Sequence, residues 1–314
     1  GDTVGSLQPP VIEIADPTAV GDRSLISLQL VTALEFSADQ GDFVPIDGDQ
    51  DYTLFLNPHS GIGVDKVVFP GEQDNYTLTL SPSATTIDDR RSDGDGSGTL
   101  NGDELLEFDG ETFNLDQFSG TAELSETEFE NFIELYIAYF NRAPDAVGLN
   151  FWGTAFANGM TLQEAATRFV DQDETREAYP AGTTNKQFAE AVYNNVLGRA
   201  ADPEGLAFWV DQLDKGNVSR DQFILEVLGG VPADSSDRSY LDTKVDIGAY
   251  FAVHKGMSDG ENAVDAMALF DGTDASIDTT IAAIDSYHAD ALDPTAGEFL
   301  MPVVGVLDNP FSIA

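Results

Sequence analysis

The chain has 314 residues, 56 of them acidic and 14 basic, for a formal net charge of −42. That surplus is spread along the whole length and argues against nucleic acid and anionic membranes as partners. The absence of cysteine removes disulfides, thiolate metal sites and cysteine nucleophiles from consideration.

An apolar share of 42% is enough for packed cores. No apolar run approaches the ~18 residues of a membrane span, so no membrane insertion is expected. Residues 1–120 read as a β-rich domain. Strand-like runs at Val11–Ile14, Leu25–Leu34, Tyr52–Leu56, Val64–Phe69 and Tyr76–Leu80 alternate with turns carrying Pro and Gly. This is the pattern of an all-β sandwich or small barrel. Leu25–Phe36 reads as strand or helix. Asp47-Gly48-Asp49-Gln50-Asp51 imitates the start of a calcium loop, but Tyr52 stands where the glycine belongs and Pro58 where the last ligand belongs, so it reads as a solvated turn.

The stretch Asp93–Glu104 fits such a loop better. Oxygen-bearing side chains fall at loop positions 1, 3, 5, 9 and 12 (Asp93, Asp95, Ser97, Asn101, Glu104), and Gly98 occupies the sixth. With the Thr99 carbonyl, these residues make a candidate calcium site, the alternative being a Gly/Asp-rich hairpin turn. Ile87-Asp88-Asp89-Arg90-Arg91 lacks an apolar stripe and makes a poor incoming helix.

From Ser125 the apolar spacing becomes helical, through Phe129, Phe132, Ile133, Tyr136 and Phe140. Capping boxes at Ser125/Glu128, Thr161/Glu164, Thr184/Gln187 and Ser219/Gln222 mark helix starts. Residues 121–290 form a helical domain with an internal duplication. Arg142-Ala-Pro-Asp145-Ala-Val-Gly148-Leu-Asn-Phe151-Trp152 aligns with Arg199-Ala-Ala-Asp202-Pro203-Glu-Gly205-Leu-Ala-Phe208-Trp209 at an offset of 57. The motif ends one helix, caps the next with Asp, and anchors it with Phe-Trp; a groove for a peptide or glycan between the units is the sharper alternative. Helical patterns follow near Tyr240–His254, Glu261–Leu269 and Ile277–Ala289, and residues 291–314 read as an extended apolar tail. The fold class is therefore α+β multidomain, an all-β domain followed by an all-α domain built on a duplicated helix-turn-helix unit.

The duplicated motif, with Lys244–Val253, resembles the bacterial helical family called domain of unknown function 4214. That family is similar to phycobilisome-linker scaffolds and occurs in large secreted calcium-dependent proteins; the resemblance implies no activity. Val67–Leu78, Asp95–Leu100 and Glu104–Gly110 together resemble the β-unit of hemolysin-type (RTX) calcium-binding secreted proteins, although Gly98 and Leu105 depart from it and no RTX nonapeptides are present. This second resemblance implies strands at Thr99-Leu100 and Leu105–Phe108. The acidic loop then becomes a turn between strands rather than an EF-hand. It also implies type I secretion, with which the apolar C-terminus is compatible. Gly1-Asp2-Thr3 carries no signal-like pattern, so either a signal has been removed or the secretion signal lies elsewhere.

Catalysis finds no motif: His59, His254 and His288 are isolated, and no nucleophile elbow or phosphate loop occurs. The expected function is a secreted, extracellular, calcium-stabilised structural protein. It would self-associate into an oligomer or polymer at the cell surface as a surface layer, filament or adhesive matrix. The alternative is a carbohydrate- or protein-binding module of a secreted adhesin or enzyme, in contact with a cell-surface glycan.

Overall fold

A computed structural model describes residues 34–37, 42–45, 65–94, 96–100, 104–109 and 111–311, with backbone alone for 34–37, 42–45, Asp65 and Glu104. The expected strands at Val11–Ile14 and Tyr52–Leu56, all of Leu25–Leu34 except its last residue, the turn at 47–51 and His59 lie outside the described residues.

Strands β1 (Leu34–Ser37) and β2 (Asp42–Pro45) pair antiparallel. Two three-stranded sheets follow. One joins β3 (Asp65–Phe69) in parallel to β7 (Glu104–Phe108), which pairs antiparallel with β8 (Glu111–Asn114). The other is the meander β4 (Tyr76–Thr79), β5 (Thr85–Asp89), β6 (Ser97–Leu100). Alternation along β4 buries Tyr76 and Leu78. The sheets meet through aromatic rings: Phe69 stacks on Phe108 at 5.3 Å, and Tyr76 lies 5.5 and 5.1 Å from the two.

The 3₁₀ turns Leu115–Gln117 and Ser119–Glu123 lead into α1 (Glu126–Phe140), α2 (Ala146–Ala157), α3 (Leu162–Val170) and α4 (Asp173–Ala178). The second unit repeats the first three as α5 (Asn185–Leu197), α6 (Pro203–Asp214) and α7 (Arg220–Gly229). All four capping boxes expected from sequence form. Then come α8 (Ser236–Ala249), a π-turn at Tyr250–His254, α9 (Gly260–Ala268) and α10 (Asp274–Ala291).

The segment after α10 is extended and works as a seam. Toward the sheet, Leu78 and Leu80 donate to the Leu300 and Pro302 carbonyls at 2.8 and 2.9 Å, and Val304 N–H donates to Leu80 O at 2.9 Å. Toward the helices, Met301 and Val303 donate to the Gly256 and Val253 carbonyls, both at 2.8 Å. An extended chain points successive amides to opposite sides, so alternate residues serve the two layers. The π-turn supplies one of those carbonyls, Val253. One core of buried residues consequently runs from Phe69 through α1 and α8 to Val303.

Candidate functional site

The acidic turn closes the β5–β6 hairpin. Its end is set by Asp89 N–H donating to Gly96 O at 3.0 Å and by Gly96 in the left-handed region (φ +76°), which favours glycine. In antiparallel pairs the hydrogen-bonded and open positions alternate, so Asp88↔Ser97 and Thr86↔Thr99 are open pairs. The Thr99 carbonyl thus points away from β5, on the side of β6 that has no strand partner among the described residues. Asp93 is exposed in the turn. The Ser97 hydroxyl donates to Asp88 Oδ1 at 2.5 Å. Asp88 is therefore a carboxylate beside the loop that the sequence pattern did not include; only the strand register reveals it. Asp95, Asn101 and the Glu104 side chain lie outside the described residues. Strands stand on both sides of the turn, where an EF-hand would need helices. Among the described residues no group of three or more His, Asp or Glu is arranged to hold a metal ion.

The two arginines before the turn are committed to structure. Arg91 binds Asp89 through Nε and Nη2 at 2.9 and 2.5 Å, and these bonds hold its guanidinium above the ordinary value. Arg90 donates to Tyr76 O, Asp74 O and, at 2.7 Å, to Glu298 O, which staples the hairpin to the C-terminal seam. Burial lowers the Arg90 pKa against four neighbouring carboxylates.

A second locus is the corner between α1 and α2. Asp145 caps α2 by accepting from Gly148 N–H at 2.6 Å, and Arg142 grips Glu174 of α4 through Nε and Nη2 at 2.6 and 2.7 Å. The guanidinium lies 5.1 Å over the Tyr136 ring and 5.6 Å over Phe140. Burial pulls the Arg142 pKa down, and the bonds and charge of Glu174 more than offset it, leaving it raised. A Cβ on Gly148 would fall 2.8 Å from both Asp145 Oδ1 and the Tyr136 hydroxyl, which is why glycine stands at that place in the motif. Beside this corner opens a cavity of about 270 Å³, lined by Tyr136, Arg142, Trp152, Phe169, Asp173 and Glu174 among others. The second unit repeats the corner: Asp202 accepts from Gly205 N–H at 2.8 Å, and Arg199 grips Asp237 of α8.

With this geometry in place the comparison with known families can be made. Residues 166–230 match a family model described as Domain of unknown function (DUF4214). The match runs from α3 to the loop after α7 and so takes in the second corner. No curated protein and no solved structure matches the chain. No helix among the described residues is long and apolar enough to cross a membrane. His254, in the π-turn, has a buried Nε2 without a partner among the described residues, and burial holds its pKa below the ordinary value; His288 on α10 is lowered for the same reason.

Proposed function

We propose that this chain is a secreted, calcium-stabilised structural protein that self-associates at the cell surface, as a surface layer, extracellular filament or adhesive matrix. The observation that carries the proposal is how the cations are used. Arg91, Arg142, Arg199, Arg238 and Lys255 hold internal carboxylates, and Arg90, Arg220 and Lys244 hold backbone or amide oxygens. With 56 acidic against 14 basic residues the chain keeps a net surplus of 42 negative charges, which repel one another. Divalent cations outside the cell would relieve that repulsion. The turn at 93–104, with Asp93, Asp95, Ser97, the Thr99 carbonyl, Asn101 and Glu104, is the best placed to hold one, and Asp88 adds a carboxylate beside it. The likeness of the β-unit to those of hemolysin-type (RTX) secreted proteins, exported by type I secretion, supports the same reading. So does the likeness of the helical unit to phycobilisome-linker scaffolds.

Extracellular calcium modules have Kd of ~10⁻⁴–10⁻³ M. At about 100 Kd, one site adds roughly 2.7 kcal/mol to stability. Melting in calcium and then in excess EDTA, at low ionic strength and with magnesium as control, should give a lower midpoint after chelation. Electron microscopy should show assemblies only with calcium. An unchanged midpoint in EDTA refutes the proposal.

A further inference from the structure

The cavity at the first corner is more than a packing gap. The Tyr136 hydroxyl lies against Gly148 at the cavity wall, and the half-buried Trp152 lines the same wall; among the described residues neither the hydroxyl nor the indole N–H makes a hydrogen bond. The second unit repeats the aromatic cluster, with Tyr193 and Trp209 meeting Phe223 at 6.1 and 5.5 Å. What differs is the opposite wall. In the first unit Asp173 and Glu174 at the start of α4 supply carboxylates there. The corresponding stretch of the second unit, Val227–Pro232, has no acid.

The lining selects the ligand. The aromatic faces of Tyr136 and Phe140 are already covered by the Arg142 guanidinium, so the cavity is not an open cage for a cation. Arg142 spends its donors on Glu174, Asp145 and Ala143 O, and with the lining carboxylates beside it an anion finds no free donor pair. What remains is the Tyr136 hydroxyl, carboxylate lone pairs and the half-buried ring of Trp152. A polyol satisfies all three: its hydroxyls donate to the carboxylates and accept from Tyr136, while its C–H face packs on the Trp152 ring. A volume just under the ~300 Å³ at which drug-sized pockets begin gives room for one ring. We propose that this cavity binds a pyranose sugar or the terminal sugar of a glycan. The proposal stands apart from the calcium reading, and either can fail alone.

Trp152 and Trp209 are the chain's two tryptophans, so Trp209→Phe leaves Trp152, in the cavity wall, as the single tryptophan, read by excitation at the red edge where tyrosine does not absorb. Titrating that variant with glucose, galactose, mannose and N-acetylglucosamine should give saturable quenching by at least one of them. Tyr136→Phe on the same background keeps the ring packing and should weaken binding about tenfold, with an unchanged melting curve. Quenching by none of the four up to 50-millimolar levels overturns the proposal. So does equal affinity in the Tyr136→Phe variant, or saturable binding of arginine methyl ester in place of the sugars.

Discussion

Lys244 gives the sharpest test of the packing energetics. Its side chain is 1% exposed in the middle of α8, and its Nζ donates to Asn141 Oδ1 and, at 2.7 Å, to Asn195 O. Asn141 ends α1 in the left-handed conformation (φ 55°), and Asn195 lies in the last turn of α5. One amine therefore ties two helix C-termini to α8, with no carboxylate bonded to it among the described residues. Burial pulls its pKa from 10.5 down to about 7. Two acceptors need two N–H groups, and the neutral amine still supplies both, so losing the third proton breaks neither bond.

The folded pKa lies below the unfolded one. Below pH 7 both states carry the proton and the desolvation penalty is fully present. As pH rises from about 7 toward 10.5 the folded state releases its proton first, and stability rises. From the two values, the gain between about pH 7 and 9.5 is on the order of 3 kcal/mol. The two helix C-termini and the Tyr240 ring, 5.6 Å from Nζ, favour the charged amine and reduce that gain to roughly 1–3 kcal/mol. Urea unfolding of wild type and Lys244→Met across this range should show the rise in wild type alone. Parallel pH profiles would refute the reasoning and mean that the helix ends hold the ammonium charged.

Asp202→Ala should cost about 1 kcal/mol by urea unfolding, since Asp202 does little but cap α6. Asp145→Ala should cost more, because its carboxylate also touches Arg142 at 3.4 Å. Gly256→Ala should lower stability by at least about 2 kcal/mol, because Gly256 has φ +68° and its Cβ would fall 2.2 Å from Pro302 N. The same change should speed proteolytic cutting after α10.

The parts of the fold that rest on local chemistry were legible in the sequence. Side chains three residues apart decide a helix start, so Ser125/Glu128 and its three counterparts could be read directly. Asp145 and Asp202 capped the expected helices for the same reason. α8 begins at Ser236, four residues before the expected start, because Ser235 caps it by accepting from Arg238 N–H at 3.1 Å. The long-range arrangement was not legible. The parallel pairing of β3 with β7, the tail threaded between β4 and the π-turn, and the Asp88–Ser97 bond all join residues whose partners no local pattern names. In the acidic turn, spacing alone could not tell which way the Thr99 carbonyl faces, because the strand register decides it.

The duplication carries a further consequence. Similar motifs fix similar Asp-capped corners, yet α2 and α6 sit in unlike surroundings. On α2 the inner face is buried: Asn150 donates to Met301 O at 3.2 Å, and Gly153 lies so close to Thr121 that a Cβ would fall 2.7 Å from its hydroxyl. The equivalent positions on α6 are Ala207 and Val210, which stay exposed or half-exposed, and Phe208 is 55% exposed. A motif shared by two units therefore reports geometry, whereas chemistry depends on what each unit packs against. The family match at 166–230 contains the α3–α4 wall of the cavity but not Tyr136, Arg142 or Asp145. The proposed sugar site straddles the edge of the matched stretch, so a match to that stretch alone cannot predict it; a chain must also carry the preceding α1–α2 corner.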